Sequence, residues 1–387
     1  MESLKRLSQH LADRPAKLRE LKDKGARIVG YFPGDYIPEE IIYASGAIPL
    51  CLCNGGDPVV VQEAQSKTMR FLCAFAKAQL GELLLKEDPY YSIVDTLVAP
   101  ITCAHLRKIA DMWQYYGDMD VFRFGIPREY DTEIGEDYYN LSIKRLKEKM
   151  ELITGNRVDD NALKKGIDLY NRLRGFLREI SLMRKYSQTP ITTLDFLKLN
   201  HASFYGDPDE VVEILAELYE ELREKQGEGN NKGRPRLLLT GPNLARGDYK
   251  VVEIIEAAGG TVVVEEACEG VRFYWEDVED DKDYAAALGK RYLMKRTPCA
   301  FMNASASKRF DFIMNLVNEF SVDGIIWYHL LYCETYDIES YFMARKMEEA
   351  GIPMLKIQTD YEAAEIGPLR TRVETFIEML KRKGGES

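Results

Sequence analysis

The chain repeats one order of segments, and this repeat limits the folds open to it more than any other feature. The first copy has strand-like residues at 27–34 and at 46–50, with a helix-like run between them. The second copy has the same arrangement, with strands at 236–241 and 261–266. β-Branched residues fill the strands, and glycine or proline separates them from the helices. Such alternation predicts parallel sheets covered by helices on both faces.

A second pair of segments strengthens the repeat. Buried strands are predicted at 93–100 and 322–328, and each carries Val-Asp near its start and leads into a cysteine. A last strand is predicted at 354–357. The final helix shows a single apolar face, which consists of Leu369, Val373, Phe376, Ile377 and Leu380.

These segments predict an α/β fold of two similar Rossmann-like parallel-sheet domains, with a helical N-terminus and a helical insert. An N-terminal helical segment would occupy 1–25, and the first domain would span 26–129. Charged, helical sequence fills 130–232, and GEGNNKGRP at 227–235 has the composition of a linker. The second domain would span 233–387, and the similarity of the two halves suggests a duplication.

Charge and hydropathy narrow the class of protein. Lysine and arginine number 52 against 63 aspartates and glutamates, a formal net charge of −11. Nucleic acid is not expected as a partner, because neutralising phosphates requires clustered basic residues. The N-terminus does not resemble a signal peptide, and no apolar run approaches the roughly 20 residues of a membrane span. We therefore expect a cytoplasmic protein with no membrane partner.

The cysteines follow the repeat. Six of the seven sort into two corresponding triads, which are Cys53, Cys73 and Cys103 in the first half and Cys268, Cys299 and Cys333 in the second. Several of them come just after predicted strands, where open α/β sheets build their sites. Cysteines that are distant in sequence can therefore meet at one rim. The alternative is that all seven are buried, inert thiols, since free cysteine packs as a small hydrophobe.

The spacing of the cysteines indicates which metal they would bind. Structural zinc sites bring closely paired ligands, and the only close pair is Cys51 and Cys53. Widely spaced thiolates suit iron–sulfur clusters. A cysteine nucleophile paired with His105 or His329 is also conceivable, but it would leave the other thiols unexplained. No G-x-x-x-x-G-K-[ST] loop is present, so the chain is not expected to hydrolyse ATP itself.

Five stretches of the sequence are together specific to one protein family. They are GYFPGDYIPEEIIYASGAIPL (30–50), FLCAFAKAQLGELL (71–84), VDTLVAPITCAHLRK (94–108), DGIIWYHLLYC (323–333) and GIPMLKIQTDY (351–361). With them the chain resembles the 2-hydroxyacyl-CoA dehydratase and benzoyl-CoA reductase component family. The resemblance runs from Gly30 to about Leu380.

The resemblance implies a ligand set. Cys73, Cys103 and Cys333 match the three family cysteines that hold a four-iron cluster. Extra cysteines at positions like Cys53, Cys268 and Cys299 are similar to those of the double-cubane cluster proteins of this family, which hold two four-iron cubanes bridged by sulfide. Cys51 is then left for packing or as a substitute for Cys53.

The resemblance also implies partners and an activity. The chain would be a low-potential reductase component, working as a homodimer in the cytoplasm of an anaerobe. It would receive electrons from a separate ATP-hydrolysing iron–sulfur activator protein and reduce a small-molecule substrate. Two departures, Ala104-His105 after Cys103 and Gln358 before the terminal Asp-Tyr, weigh against an acyl-CoA substrate.

Three alternatives stay open. The chain could be a single-cluster 2-hydroxyacyl-CoA dehydratase or aromatic acyl-CoA reductase subunit, a non-enzymatic electron carrier, or a zinc or metal-free scaffold. His105 is a candidate catalytic proton donor because its pKa lies near neutrality; its alternative role is a hydrogen bond at the site. His329, Tyr332 and Glu334 flank Cys333 and are candidates for tuning a cluster or for ordinary packing.

Overall fold

The computed structural model describes residues 1–229 and 231–385. Within these residues, eight parallel strands form two separate sheets of four strands each. The first sheet has the order β2-β1-β3-β4, and the second has the order β6-β5-β7-β8. The strands are β1 (Ile28–Tyr31), β2 (Ile48–Cys51), β3 (Thr96–Ile101), β4 (Asp120–Gly125), β5 (Arg236–Thr240), β6 (Thr261–Glu266), β7 (Gly324–Leu330) and β8 (Met354–Thr359).

The two sheets share one topology, so the repeat in the sequence corresponds to a repeat in the structure. In each half the first strand pairs with the second on one side and with the third on the other. The fourth strand pairs with the third at the opposite edge. The expected α/β fold of two Rossmann-like parallel-sheet units with a helical N-terminus is confirmed. The exact domain boundaries stay a prediction; residue 230 of the predicted linker, and 386 and 387 at the end of the predicted second domain, lie outside the described residues.

The recurring Val-Asp has a structural reason. Asp95 Oδ2 accepts a hydrogen bond of 2.8 Å from the backbone N–H of Ile28, the first residue of β1. In the second half, Asp323 Oδ2 accepts one of 2.7 Å from the N–H of Arg236, the first residue of β5. Each aspartate therefore satisfies a backbone donor where the neighbouring strand begins, a group that would otherwise lack a ladder partner.

Helices cover both sheets and fill the segment between them. In the first half these are α1 (Glu2–Asp23), α2 (Glu39–Ala44), α3 (Pro58–Gln65), α4 (Ala74–Leu85) and α5 (Ala104–Gly117). The middle segment contains α6 (Glu133–Thr154), α7 (Asp160–Leu182), α8 (Thr193–Tyr205) and α9 (Pro208–Glu224). The second half contains α10 (Lys250–Ala257), α11 (Val271–Tyr274), α12 (Tyr284–Gly289), a π-helical turn at Lys290–Lys295, α13 (Ser305–Glu319), α14 (Glu334–Glu349) and α15 (Ile366–Gly385). The predicted apolar face of the final helix is buried.

The middle helices tie the two halves together through buried ion pairs. On α7, Arg174 contacts Glu40 of α2 at 2.9 Å, and both side chains are fully buried. Just after α7, Arg184 contacts Glu265 of β6 at 2.5 Å, again with almost no exposure. Breaking such a pair leaves a buried charge uncompensated, which costs far more than losing a surface pair. The relative placement of the two sheets is therefore specified by charge as well as by packing.

No helix in residues 1–229 and 231–385 combines the length and apolar character that a membrane crossing requires.

Candidate functional site

Three of the predicted ligands share one local structure. Cys73, Cys103 and Cys333 are the N-cap residues of α4, α5 and α14, respectively. At Cys103 the N–H of Leu106 donates to Sγ at 3.5 Å, as in an N-cap hydrogen bond. Helix N-termini carry partial positive charge and free N–H groups, and both favour a thiolate over a thiol. Three helices thus present their positive ends through a cysteine.

These three thiols lie within electrostatic reach of one another. Burial raises the pKa of Cys73 to about 12, and negative charge on Cys103 adds to the increase. The pKa of Cys333 is raised first by burial and then by Cys73 and Cys103. The thiols are therefore protonated in the metal-free protein. A metal would have to displace those protons, because thiolates are the metal-binding form.

Two further cysteines extend this group. Burial raises the pKa of three other thiols, and charge on Cys299 adds to the increase in each; these are Cys103, Cys268 and Cys333. Cys268 follows β6, and Arg272 Nη1 donates to its Sγ at 3.7 Å. The Tyr336 hydroxyl lies 3.5 Å from the Sγ of Cys299. Five of the predicted ligands therefore form one continuous set at the carboxyl ends of the two sheets.

Cys53 has its own hydrogen-bond partner at the end of β2. Its N–H donates to the Tyr205 hydroxyl at 3.0 Å, and its Sγ is 3.7 Å from the same oxygen. Burial, and then the neighbouring Cys53, raise the pKa of Cys51. Burial also raises the pKa of Tyr361, and charges that include Cys73 and Cys53 add to the increase. Electrostatic contacts thus link five predicted ligands directly, and Cys53 and Cys73 both lie within reach of Tyr361.

A single metal ion does not fit this arrangement. Within the described residues, no three histidine, cysteine, aspartate or glutamate side chains converge closely enough to hold one ion. Cysteine ligands of a four-iron cluster each bind a different iron atom, so they surround a volume rather than a point.

A buried arginine fits a negatively charged group at the site. Arg296 is 2% exposed and stacks on Tyr36, with its guanidinium 3.7 Å from the ring centroid. Nη1 donates to the carbonyl of Gly34 at 2.7 Å. Nε lies 3.7 Å from Asp35 Oδ2, and neither Nε nor Nη2 has a hydrogen-bond partner among the described residues. Burial alone would lower the pKa of this guanidinium, but charge on Tyr36 and Asp35, and then on two thiols of the site, raises it. A buried donor without a hydrogen bond is costly, and sulfur ligands carrying negative charge would satisfy Nη2.

His105 touches the site through the backbone. The N–H of Cys73 donates to His105 Nδ1 at 3.4 Å. Burial lowers the pKa of His105, and Glu334 partly offsets this. The ring is therefore neutral near pH 7 with its proton on Nε2, since Nδ1 is the acceptor. Its position is consistent with both roles expected from the sequence, a hydrogen bond at the site and a proton donor.

The residues that flank Cys333 are held in unusual positions. Tyr332 has φ of +67°, a left-handed conformation that a residue with a side chain rarely adopts. Its ring packs edge-on against Phe71, with centroids 5.5 Å apart. Burial lowers the pKa of His329 to about 4, and its Nε2 lies 3.4 Å from Asp337 Oδ1. The left-handed Tyr332 turns the chain directly before Cys333, so it sets the direction of that side chain.

A cavity of about 180 Å³ lies beside Cys73. Lys77 is one turn into α4, is 4% exposed and donates to the carbonyl of Arg70 at 2.9 Å. The hydroxyl of Tyr361 is buried and has no partner among the described residues. Both side chains line this cavity. Neither residue was singled out from the sequence; a lysine four residues after a predicted ligand was the available signal for Lys77.

Comparisons with known proteins agree with this architecture. The family model of "2-hydroxyglutaryl-CoA dehydratase, D-component" matches residues 36–380. The chain is 29% identical over 364 residues to "Putative dehydratase subunit YjiM" of Escherichia coli (strain K12), covering 93% of each chain. It is 22% identical over 361 residues to one of the benzoyl-CoA reductase subunits of Thauera aromatica, covering 93% of this chain and 92% of that one.

A third relative is the beta subunit of (R)-2-hydroxyglutaryl-CoA dehydratase from Acidaminococcus fermentans, which is 24% identical over 375 residues, or 94% of this chain and 95% of that one. These relatives are named as subunits of dehydratases and reductases. The family match covers most of the chain, including strands β2 to β8 and all six predicted ligands. The chain therefore belongs to the 2-hydroxyglutaryl-CoA dehydratase D-component family, within the group of 2-hydroxyacyl-CoA dehydratase and benzoyl-CoA reductase subunits.

Proposed function

We propose that this protein is a cytoplasmic iron–sulfur reductase component of the double-cubane type, which reduces a small substrate at low potential. The observation that carries the proposal is the convergence of Cys73, Cys103 and Cys333, each at the N-terminus of a different helix. Inert packing gives no reason for three thiols to occupy three such positions within reach of each other's charge.

The remaining candidate ligands are the neighbouring Cys268 and Cys299, and Cys53. Cys268 and Cys299 adjoin the first three thiols, and Arg272 and Arg296 supply positive charge beside them. Cys53, which acts on the same Tyr361 as Cys73, would complete the six ligands of two cubanes. When bound, the cluster would supply electrons one at a time at low potential.

The chain's own residues would handle protons and substrate. The cavity of about 180 Å³ beside Cys73 has room for roughly six water-sized groups at about 30 Å³ each, which favours a small substrate over an acyl-CoA. Burial lowers the pKa of Lys77, so its ammonium can release a proton more readily than a surface lysine. Tyr361 forms part of the cavity wall and would pack against a bound molecule. His105 would hold the Cys73 backbone in place and keep a proton on Nε2.

The proposal includes two protein partners. The sequence has no phosphate-binding loop, so a separate ATP-hydrolysing iron–sulfur activator would deliver the electrons. One chain carries all six candidate ligands, which suits a homodimer rather than two unlike subunits. Light scattering of the purified protein tests the dimer, and ATP-dependent reduction by an added activator tests the donor.

Metal analysis of protein purified without oxygen tests the proposal directly. We expect about eight irons and a similar amount of acid-labile sulfide per chain. Cys73→Ser should lose most of the iron, whereas Cys51→Ser is the matched control and should keep it. Zinc in place of iron, or protein that contains no metal after anaerobic reconstitution, would overturn the proposal.

A single-cluster dehydratase or aromatic acyl-CoA reductase subunit is the second candidate. The contacts of Cys53 with the Tyr205 hydroxyl favour it, because they give this thiol a structural role of its own. About four irons per chain, unchanged in Cys53→Ser, would select this candidate. Redox signals without turnover of any reducible molecule would instead indicate an electron carrier.

A further inference from the structure

A second cavity lies away from the cysteine group, beneath the N-terminal helix. Its volume is about 220 Å³. One wall consists of Leu4, Leu7 and Leu11 of α1, and the facing wall contains Leu199 and Ala202 of α8. The walls are therefore apolar, as in small-molecule sites that bury a hydrocarbon portion of their ligand.

One end of this cavity carries a guanidinium with donors to spare. Arg246 Nη1 donates to Asn54 Oδ1 at 3.1 Å, and the group packs over the rings of Tyr205 and Tyr90 at 4.6 and 5.4 Å from their centroids. Asp88 is 3.7 Å away. Within the described residues, Nε and Nη2 make no hydrogen bond, and the side chain is 38% exposed. Stacking on two rings fixes the plane of the guanidinium, so these donors have a defined direction.

The neighbouring histidine adds no charge. His201 Nε2 lies 2.6 Å from the carbonyl of Leu244, which can only accept, so Nε2 carries the proton. Nδ1 then accepts from the Tyr249 hydroxyl at 3.0 Å. Burial lowers the pKa of His201 to about 4, so the ring is neutral near pH 7.

The charges around the cavity balance, so the free donors of Arg246 decide which ligand fits. The other two charged side chains in the lining are Lys198 and Asp195. Asp195 accepts a hydrogen bond of 2.9 Å from the Thr192 hydroxyl. Asp88 lies outside the lining but offsets part of the charge of Arg246. A carboxylate matches the fork of an arginine in a planar, bidentate manner.

We propose that this cavity binds a small carboxylate with a short apolar chain. At about 30 Å³ per water-sized group, the volume holds roughly seven such groups, which corresponds to a carboxylate on a chain of about five carbons. The carboxylate lies against Arg246 and the chain lies between α1 and α8.

The site also adjoins a candidate cluster ligand without belonging to the cysteine group. Tyr205 lines the cavity, stacks under Arg246 and accepts the N–H of Cys53 through its hydroxyl. A ligand on Arg246 is thereby one side chain removed from Cys53. Binding of a carboxylate in this cavity does not depend on the iron–sulfur function proposed above. Either proposal can therefore fail while the other holds.

Isothermal titration of the full chain with hexanoate tests the proposal, with 1-hexanol and hexylamine as neutral and cationic counterparts. We expect hexanoate to bind at least tenfold more tightly than either counterpart, because a charge-assisted bidentate contact is lost in both. Arg246→Gln should weaken hexanoate by about tenfold or more while leaving 1-hexanol unchanged.

A mouth-blocking variant provides an independent check that does not touch the arginine. Ser8 is exposed on α1 and lines the cavity, so Ser8→Trp should abolish hexanoate binding. Gln9 is the exposed neighbour outside the lining, and Gln9→Trp is the matched control that should bind as the parent does. Absence of hexanoate binding to the parent protein, or binding that survives both Arg246→Gln and Ser8→Trp, overturns the proposal.

Discussion

The buried ion pair between Arg174 and Glu40 offers the sharpest test of how the two halves are held. The two groups are 2.9 Å apart, and both side chains are fully buried. Arg174 Nη2 also donates to Asn171 Oδ1 at 2.7 Å, and the Tyr292 hydroxyl donates to Glu40 Oε2 at 2.8 Å. Arg174→Met would leave the Glu40 carboxylate without its counter-charge in a site that water does not reach.

We expect Arg174→Met to lower the free energy of unfolding by about 3–5 kcal/mol, as breaking one partner of a buried pair does. Replacing both partners, with Glu40→Leu added, should restore most of the loss. About 1–3 kcal/mol should remain, because the Tyr292 hydroxyl then stays buried without an acceptor. Urea unfolding, monitored by tryptophan fluorescence, gives the free energies of the four proteins in the double-mutant cycle, which are the parent, the two single variants and the double variant.

Arg6→Met is the matched control, because Arg6 pairs with Glu217 at 2.7 Å on the surface with 38% and 54% side-chain exposure. Such pairs contribute about 0–1 kcal/mol. If Arg174→Met proves no more destabilising than Arg6→Met, or if the double variant loses the sum of the two single losses, the ion pair does not hold α2 and α7 together.

Three further predictions concern titration and strand starts. Burial raises the pKa of Glu39 to about 8, whereas its pKa in the unfolded chain is near 4.5. The free energy of unfolding should therefore fall as pH rises from about 4.5 to 8. Thermal unfolding at pH 5 and pH 9 should show this loss in the parent protein and not in Glu39→Gln. Asp95→Ala should cost about 2 kcal/mol and the more exposed Asp323→Ala about 1 kcal/mol of unfolding free energy, since each removes a charged acceptor from a strand's first N–H. In metal-free folded protein, the pKa of Cys73 near 12 predicts that the rate of its alkylation by iodoacetamide rises about tenfold per pH unit up to pH 10. Mass spectrometry measures this rate, and a rate that stops rising by pH 9 would contradict the prediction.

Much of the fold could be predicted from the sequence because the repeat is periodic and strongly apolar. Seven of the eight strands were predicted close to their positions, including 261–266 without any shift. The missed strand was β4 at the edge of the first sheet, in which only Val121 and Phe124 are buried. An edge strand of six residues that begins with Asp120 and contains Arg123 lacks the continuous apolar run that marks the central strands.

The site could be predicted only in part because its geometry depends on contacts between distant segments. The sequence placed the cysteines after strands, and Cys103 and Cys333 do follow β3 and β7. It could not show that Cys53 would contact the Tyr205 hydroxyl of α8, 152 residues away. Nor could the sequence show that Arg296 would donate a hydrogen bond to the carbonyl of Gly34, 262 residues earlier.

One physical principle explains why Cys73 joins the group although it follows no strand. In parallel α/β units the end of each strand leads into the start of the next helix, so strand carboxyl ends and helix N-termini lie on the same side of the sheet. Cys103 and Cys333 reach that side from β3 and β7, whereas Cys73 reaches it as the N-cap of α4. The feature that these three residues share is therefore the helix N-terminus. Because each N-terminus carries partial positive charge and free N–H groups, it offsets part of the burial that raises the pKa of all three thiols. A thiol at such a position therefore loses its proton more readily than a thiol buried elsewhere to the same depth.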